Sequence, residues 1–374
     1  MRLVSLRLHH VELPLVAPFT TSFSTQTSKR CFLVEATLRT ADGELVTGWG
    51  ENVALDTPYY SAEYLLGAAD VIERWIAPML FPVEHLTAET VGHHLRRIVG
   101  NPMAKASVEM AVLDAQLRLA GVSFASYLGT TATTVPSGVS VGIQDSLDAT
   151  VAAVGRYVDE GYARIKLKIQ PGRDLAEVAA VRAAFGDELP FQVDANAAYT
   201  LVDAARLRRL DEHGLLLIEQ PLGEADLRQH AELAKLLSTP ICLDESVVSA
   251  EAAADAIVLG AAAVINIKPG RVGGYLEARR IHDLARAHGI AVWCGGMLET
   301  GIGRAANAAL AALPGFSLPG DISGSDRFYR EDIITEPIRM HDGVVDVPTG
   351  PGFGVEIAPE VLRRVTTGVT DIRP

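Results

Sequence analysis

Five charged residues recur along the middle of the chain at a nearly constant interval. Lys168, Asp194, Glu219, Asp244 and Lys268 stand 26, 25, 25 and 24 residues apart. Each closes a short apolar run: Arg164-Ile-Lys166-Leu-Lys168, Phe191-Gln-Val-Asp194, Leu215-Leu-Leu-Ile-Glu219, Ile241-Cys-Leu-Asp244 and Val264-Ile-Asn266-Ile-Lys268. Three carboxylates gathered away from water would repel one another severely, so they call for a cation. An all-oxygen set, with no His or Cys at the matching positions, suits a hard divalent ion: Mg²⁺, with Mn²⁺ as second choice. A nearby cation (the ion itself, Lys166 or Arg271) would lower a lysine pKa from about 10.4 toward neutrality and make a usable base. The matching chemistry is removal of a proton α to a carboxylate, the ion stabilising the enediolate that forms. A base on each face of the substrate would give racemisation. A departing β-hydroxyl would give dehydration.

Convergence of these residues requires a particular scaffold. A period near 25 is the length of one strand plus one helix. Val135 to Gly142 reads as a first strand with a helix over Asp148–Glu160, and Ile290 to Gly296 reads as a seventh with a helix over Gly301–Leu313. A short eighth covers Phe316–Asp321. Eight such units in about 185 residues favour a closed parallel barrel over an open sheet. Residues i and i+2 of a strand share a face, so Lys166 pairs with Lys168 and Asp194 with Asn196. If these face inward, all five charges meet at the C-terminal mouth. Lys168 and Lys268, on strands four apart in an eight-stranded ring, then lie on opposite sides.

Before the barrel, residues 1 to about 53 read as strands, with a turn at Asp42-Gly43, and residues 60–121 as helices, the clearest over Met103–Leu119. The stretch from Pro18 to Ser28, polar with Phe19 and Phe23, reads as a mobile lid loop. The expected architecture is therefore α/β: a modified (β/α)8-type TIM barrel over 131–339 with an α+β capping domain over 1–130, completed by 340–374. Amphipathic helices are expected over Asp174–Phe185 and Leu201–His213.

Composition narrows the partners. With 374 residues, 48% hydrophobic and 21% charged, the chain is of ordinary globular make-up. A net charge of −13 argues against nucleic acid. Three scattered cysteines, Cys31, Cys242 and Cys294, have no metal-type spacing and suit a reducing compartment. No signal peptide and no membrane-spanning run is read, so a cytoplasmic protein is expected, acting on a small anionic substrate as a homo-oligomer.

Lys166-Leu-Lys168, Asp194-Ala-Asn196, Glu219-Gln-Pro, Asp244-Glu-Ser and Lys268-Pro-Gly-Arg-Val-Gly-Gly together resemble the enolase superfamily, muconate-lactonising subgroup. Within it, the chain is most similar to the N-succinylamino acid racemase / o-succinylbenzoate synthase family. The similarity extends to Pro14-Leu-Val-Ala-Pro18-Phe19, Gly48-Trp-Gly-Glu51, Tyr60-Ser-Ala-Glu63-Tyr and Trp293-Cys-Gly-Gly-Met297-Leu-Glu-Thr-Gly301. The resemblance implies Asp194, Glu219 and Asp244 as Mg²⁺ ligands and Lys168 and Lys268 as the acid/base pair. It implies Lys166, Ser140, Asn196 and the backbone of Gly296 and Met297 as substrate contacts, joined by Phe19, Phe23 and Tyr60 from the cap. Arg271 would tune Lys268. Related dipeptide epimerases carry Asp-x-Asp after the eighth strand, whereas this chain has Asp321-Ile322-Ser323, which favours an N-acylated or wholly anionic substrate. Dipeptide epimerisation, muconate-type cycloisomerisation and a non-catalytic acid-binding barrel remain as alternatives. Singly, each acid also reads as a helix cap, Phe19, Phe23 and Tyr60 as interdomain core, Arg271 as an ion-pair partner of Glu277 or another carboxylate, Glu299 as a helix-terminal charge in preference to a support behind the site, and Asp321 as a turn former.

Overall fold

The structure, a computed structural model, describes residues 1–21 and 24–374. An antiparallel sheet opens the chain: β1 (Arg2–Thr20), β2 (Thr25–Arg39) and β3 (Leu45–Asn52). Leu6 and Leu8 of β1 are buried, and Val11 and Leu13 after them, each pair at the period of 2 of a strand, with the parity changing where the pairing to β14 shifts register between His10 and Val11. The helix Pro102–Ala120 packs on this sheet. A Cβ at Gly48 or Gly50 would come within 2.2 or 2.1 Å of the helix carbonyls of Ala111 and Ser107, so only glycine permits that approach. Within the span expected to be a loop, residues 18–20 end β1 and residues 25–28 begin β2. Phe19 pairs with Gln26 and Thr20 with Thr25, so the hairpin extends as a two-stranded arm, its register slipping between Pro14 and Phe19. Phe23 lies outside the described residues.

After the short β4 (Thr134–Pro136) come seven parallel strands: β5 (Gly138–Val141), β6 (Arg164–Lys168), β7 (Phe191–Asp194), β8 (Ile218–Glu219), β9 (Ile241–Leu243), β10 (Val264–Ile267) and β11 (Ala291–Cys294). They lie in sequence order in one sheet. No regular eighth strand forms. The segment 316–321 fits between the two edges through single bridges, Val292 to Phe316 and Ser137 to Gly320, and closes the ring irregularly. Pro319 and Gly320 within it account for the lost regularity, since proline removes a ladder donor.

The two faces of the sheet divide by parity. Ile165, Leu167, Phe191, Val193, Ile218, Leu243, Ile265 and Ile267 face the helices and belong to the main core. Leu217, Cys242, Val264 and Trp293 form a separate apolar plug inside the ring. Two residues further along the same inward rows stand Glu219, Asp244 and Asn266. The barrel interior is thus apolar at depth and charged at the mouth.

Helices appear at Leu147–Asp159, Leu175–Phe185 and Gly301–Ala311. The helix expected over Leu201–His213 is broken into a short α-turn between 3₁₀ turns. Arg182 donates to the carbonyls of His213 at 2.7 Å and Gly214 at 2.9 Å, which holds that end in an irregular path. After the barrel, β12 (Met340–His341) and β13 (Val344–Asp346) form a hairpin against β4, and β14 (Thr366–Ile372) adds to β1 in the first sheet. No helix among the described residues is long and apolar enough to cross a membrane.

Candidate active site

Strand register sets the height of each charge. Lys168 pairs with Asp194 and Asp194 with Glu219, so these three share one level. Glu219 pairs with Cys242, which lifts Asp244 one inward step, and Lys268 follows β10 at the entry to a short turn of helix. The five charges therefore climb as a staircase, not a level ring, as the shear of a barrel demands.

All five are buried. Lys168 donates to Asp194 Oδ2 at 2.5 Å and to Asn196 Oδ1 at 2.7 Å. Lys166 lies 3.0 Å from Glu219 Oε2, 3.4 Å from Asp194 Oδ2 and 2.8 Å from Asp321 Oδ2, with its ammonium 4.6 Å from the Trp293 ring centroid. Lys268 donates to Asp244 Oδ2 at 2.8 Å and to the Tyr60 hydroxyl at 3.1 Å. Gly295 makes this possible, since a Cβ there would meet Asn266 Oδ1 at 2.3 Å and Lys268 Cε at 2.8 Å.

Among the described residues, no three His, Cys, Asp or Glu side chains surround a common point as a metal centre would. The ammonium groups lie between the carboxylates, and each acid has a cationic neighbour. The donor set still fits a hard divalent ion: three buried carboxylates from consecutive strands, with the side-chain oxygens Asn266 Oδ1 and Glu245 Oε2 buried nearby without hydrogen-bond partners.

The same contacts set the charge of the lysines in the metal-free site. Burial works against the Lys268 ammonium, but the Tyr60 oxygen and the carboxylates of Glu245, Glu219 and Asp194 outweigh it and hold its pKa above the ordinary lysine range. Lys166 behaves likewise: burial opposes its charge, and Asp321, Glu219 and Asp194 prevail. Without metal neither of these two lysines is lowered, because negative groups surround both. Among the acids, burial raises Glu219 and adjacent Asp194 raises it further. Burial also pushes Asp194 up, yet Lys168 and Lys166 bring it below its usual value. Like charges side by side thus separate in pKa.

One cavity opens over this floor. Lys166, Lys168, Lys268, Asn196 and Asp321 line its inner side. Ser140, Gly296, Met297, Tyr60 and Phe19 also line it, while Asp194, Glu219 and Asp244 lie beneath. Arg271 takes a carboxylate partner as the alternative reading expected, though not Glu277. It forms an ion pair with Asp244, donates to the Asn266 carbonyl at 2.6 Å and the Val247 carbonyl at 3.0 Å, and reaches the Tyr60 hydroxyl at 3.5 Å. Glu277 is instead taken by the Ala250 amide and Arg280.

The sequence reading undervalued two contributors, Asp321 and Glu299, and missed a third, Gln220. Asp321 bridges Lys166 and Arg164, the latter at 2.9 Å, so it is no mere turn former. Gln220 accepts from the amides of Asp244 and Ser246 and donates to Ser246 Oγ, fixing the strand-end loop. It does so at φ 37°, and Asn196, Ala197 and Leu298 also hold positive φ. Non-glycine residues in this region cost about 1–3 kcal/mol each and cluster at functional sites. Glu299 accepts from the Met297 amide at 2.8 Å and from Asn307, so it shapes the cavity floor. The only sequence cue to Gln220 was its place beside a strand-end motif.

Comparison with known proteins bears on this geometry. Residues 3–129 match the N-terminal domain of mandelate racemase / muconate lactonizing enzyme, and residues 149–361 match the enolase C-terminal domain-like model. The chain is 58% identical over 367 residues to an N-succinylamino acid racemase of an Amycolatopsis species, covering 98% of both. It is 46% identical over 361 residues to the o-succinylbenzoate synthase of Geobacillus kaustophilus, covering 96% of this chain and 94% of that one. A solved enolase-superfamily structure from Listeria innocua superposes with a TM-score of 0.94 at 41% identity, covering 100% of this chain and 99% of the other.

Proposed function

This chain belongs to the mandelate racemase / muconate lactonizing enzyme family of the enolase superfamily, and on that premise we propose that it is an enzyme removing the proton α to the carboxylate of a succinylated substrate. One site serves two outcomes: racemisation of N-succinylamino acids and dehydration to o-succinylbenzoate, a menaquinone precursor. The observation that carries the reading is the placement of Lys168 and Lys268. They project from strands four apart in the ring and line one cavity above the three acids.

In this reading Asp194, Glu219 and Asp244 hold Mg²⁺, with Mn²⁺ able to substitute, and the ion supplies positive charge to the substrate carboxylate. Its arrival would relieve the lysines of their carboxylate contacts and so favour the neutral amine in one of them. Lys168 and Lys268 then take and return the α-proton from opposite faces. In the dehydration, one of them takes the proton and afterwards gives one to the departing hydroxyl. Lys166, held by Glu219, Asp194 and Asp321, keeps the substrate carboxylate in place. Ser140, Asn196, Gly296 and Met297 orient the rest, and Phe19 and Tyr60 exclude water. Arg271 fixes Asp244 and thereby the setting of Lys268. The proposed setting is a cytoplasmic homo-oligomer without nucleic-acid or membrane partners.

Incubation with N-succinylphenylalanine and Mg²⁺ in D₂O tests this directly. α-Deuterium incorporation into both enantiomers is expected. Its absence, together with no formation of o-succinylbenzoate from its hydroxycyclohexadiene precursor, would refute the proposal.

A further inference from the structure

The cavity carries a fourth cation besides its three lysines. Arg327 lines its outer side with Phe328, Phe19, Thr21 and Gln26. Its guanidinium lies 4.8 Å from the ring centroids of both Tyr157 and Phe328. Of a guanidinium's five N–H donors, one is used among the described residues, by the Ser140 carbonyl at 3.2 Å. The Nε is buried and has no hydrogen-bond partner among them. No carboxylate among the described residues pairs with Arg327: neighbouring Asp326 goes to Arg339, and Asp321 goes to Arg164 and Lys166.

The contrast with the rest of the cavity is chemical. Lys166, Lys168 and Lys268 are each matched by acids at contact distance. A guanidinium half-hidden between two rings, with donors to spare, holds positive charge that no acid among the described residues neutralises. Such a group recognises a carboxylate through paired N–H bonds. The cap helps to hold it there. The Val16 amide donates to the Phe328 carbonyl at 2.9 Å, Leu15 bridges to Tyr329, and Phe19 meets Phe328 edge-on at 6.3 Å.

We propose that Arg327 forms a subsite for the second carboxylate of a dianionic substrate, at the far side of the cavity from the reacting carbon. The proposal rests on the functional reading above and adds to it the group that distinguishes a succinyl chain from a simple acyl chain. Thr21 and Gln26 border the same side and offer the polar side chains that a bound carboxylate needs.

Binding separates this from catalysis. The ligands are o-succinylbenzoate and 2-butanoylbenzoate, in which a methyl stands where the distal carboxylate was. Titration calorimetry with Mg²⁺ present should show that Arg327→Met weakens o-succinylbenzoate roughly 100-fold and 2-butanoylbenzoate by less than about threefold. Arg327→Lys should recover about a tenth of the loss or more for the dianion, and it serves as the informative variant if the methionine form does not fold. Equal weakening of both ligands would assign Arg327 to wall packing alone and overturn the subsite, as would unchanged affinity for the dianion. Because no turnover is measured, an inactive wild type would count against the proposed reaction without touching this result.

Discussion

The inner and outer walls of the cavity are built on opposite terms. The inner wall is made of strand ends. Its lysines and acids are buried, matched in charge and locked by short contacts such as Lys168 to Asp194 at 2.5 Å. The outer wall comes from the β1–β2 arm and the segment after the barrel, with Phe19, Gln26, Phe328 and Arg327, none of them fully buried. Its cation has no acid partner among the described residues. The difference suggests a division of labour: the barrel fixes the chemistry, while the cap and the post-barrel segment choose which acyl chain reaches it. Changes at the inner wall should therefore strike folding and turnover together, and changes at the outer wall should strike substrate choice alone.

The widest gap between the walls is expected on removing divalent metal. EDTA should abolish proton exchange, and Mg²⁺ should restore it; exchange that survives exhaustive chelation would remove the inner wall's proposed ion. Next in size is Lys166→Met, which leaves Asp194, Glu219 and Asp321 short of a cation. Breaking such a buried cluster costs about 3–5 kcal/mol. In urea denaturation of the metal-free protein, Lys166→Met should lose about that much, and Arg327→Met less than about 1 kcal/mol. Comparable losses in the two variants would erase the distinction.

A third effect arises where the cap meets the barrel. Glu51 of β3 accepts from the amides of Thr300 and Gly303 and from the Thr300 hydroxyl, at the start of the helix Gly301–Ala311. Burial pushes its carboxyl up to about 7, although the Thr300 amide pulls the other way. Folding then takes up a proton. The stabilisation is complete below the ordinary value of 4.5 and is lost as pH rises through about 7. Stability should fall between pH 5 and pH 8 by up to about 3 kcal/mol from this group. Glu51→Gln should flatten that slope, and an unchanged slope would show that Glu51 does not cause it. The smallest effect belongs to the outer wall: Phe19→Ala should raise KM about fivefold, with kcat within about twofold, from lost apolar contact.

The inner wall was legible in sequence because its signal is periodic. One charge closes each strand–helix unit, and parity decides which residues face inward, so Lys166, Lys168, Asp194, Glu219, Asp244 and Lys268 could be grouped before any coordinates. Their staggered heights could not, since shear is a property of the closed ring. The outer wall offered no period. The arm around Phe19 reads as polar loop because its pairing partner is simply its own neighbouring strand, with no buried face to impose alternation. Arg327 sits in irregular chain, where only tertiary packing reveals that it reaches the cavity. Asp321 was noticed for its place after the eighth strand, but its bond to Lys166 depends on ring closure by a segment that forms single bridges only.

The two-base geometry is tested most directly by following α-deuterium incorporation into each enantiomer of N-succinylphenylalanine by Lys168→Ala and Lys268→Ala. Each variant should lose exchange of one enantiomer, and the two should lose opposite ones, while both still bind o-succinylbenzoate. Loss of the same enantiomer in both variants, or undiminished exchange of both enantiomers in either, would contradict a proton carried by two lysines on opposite faces.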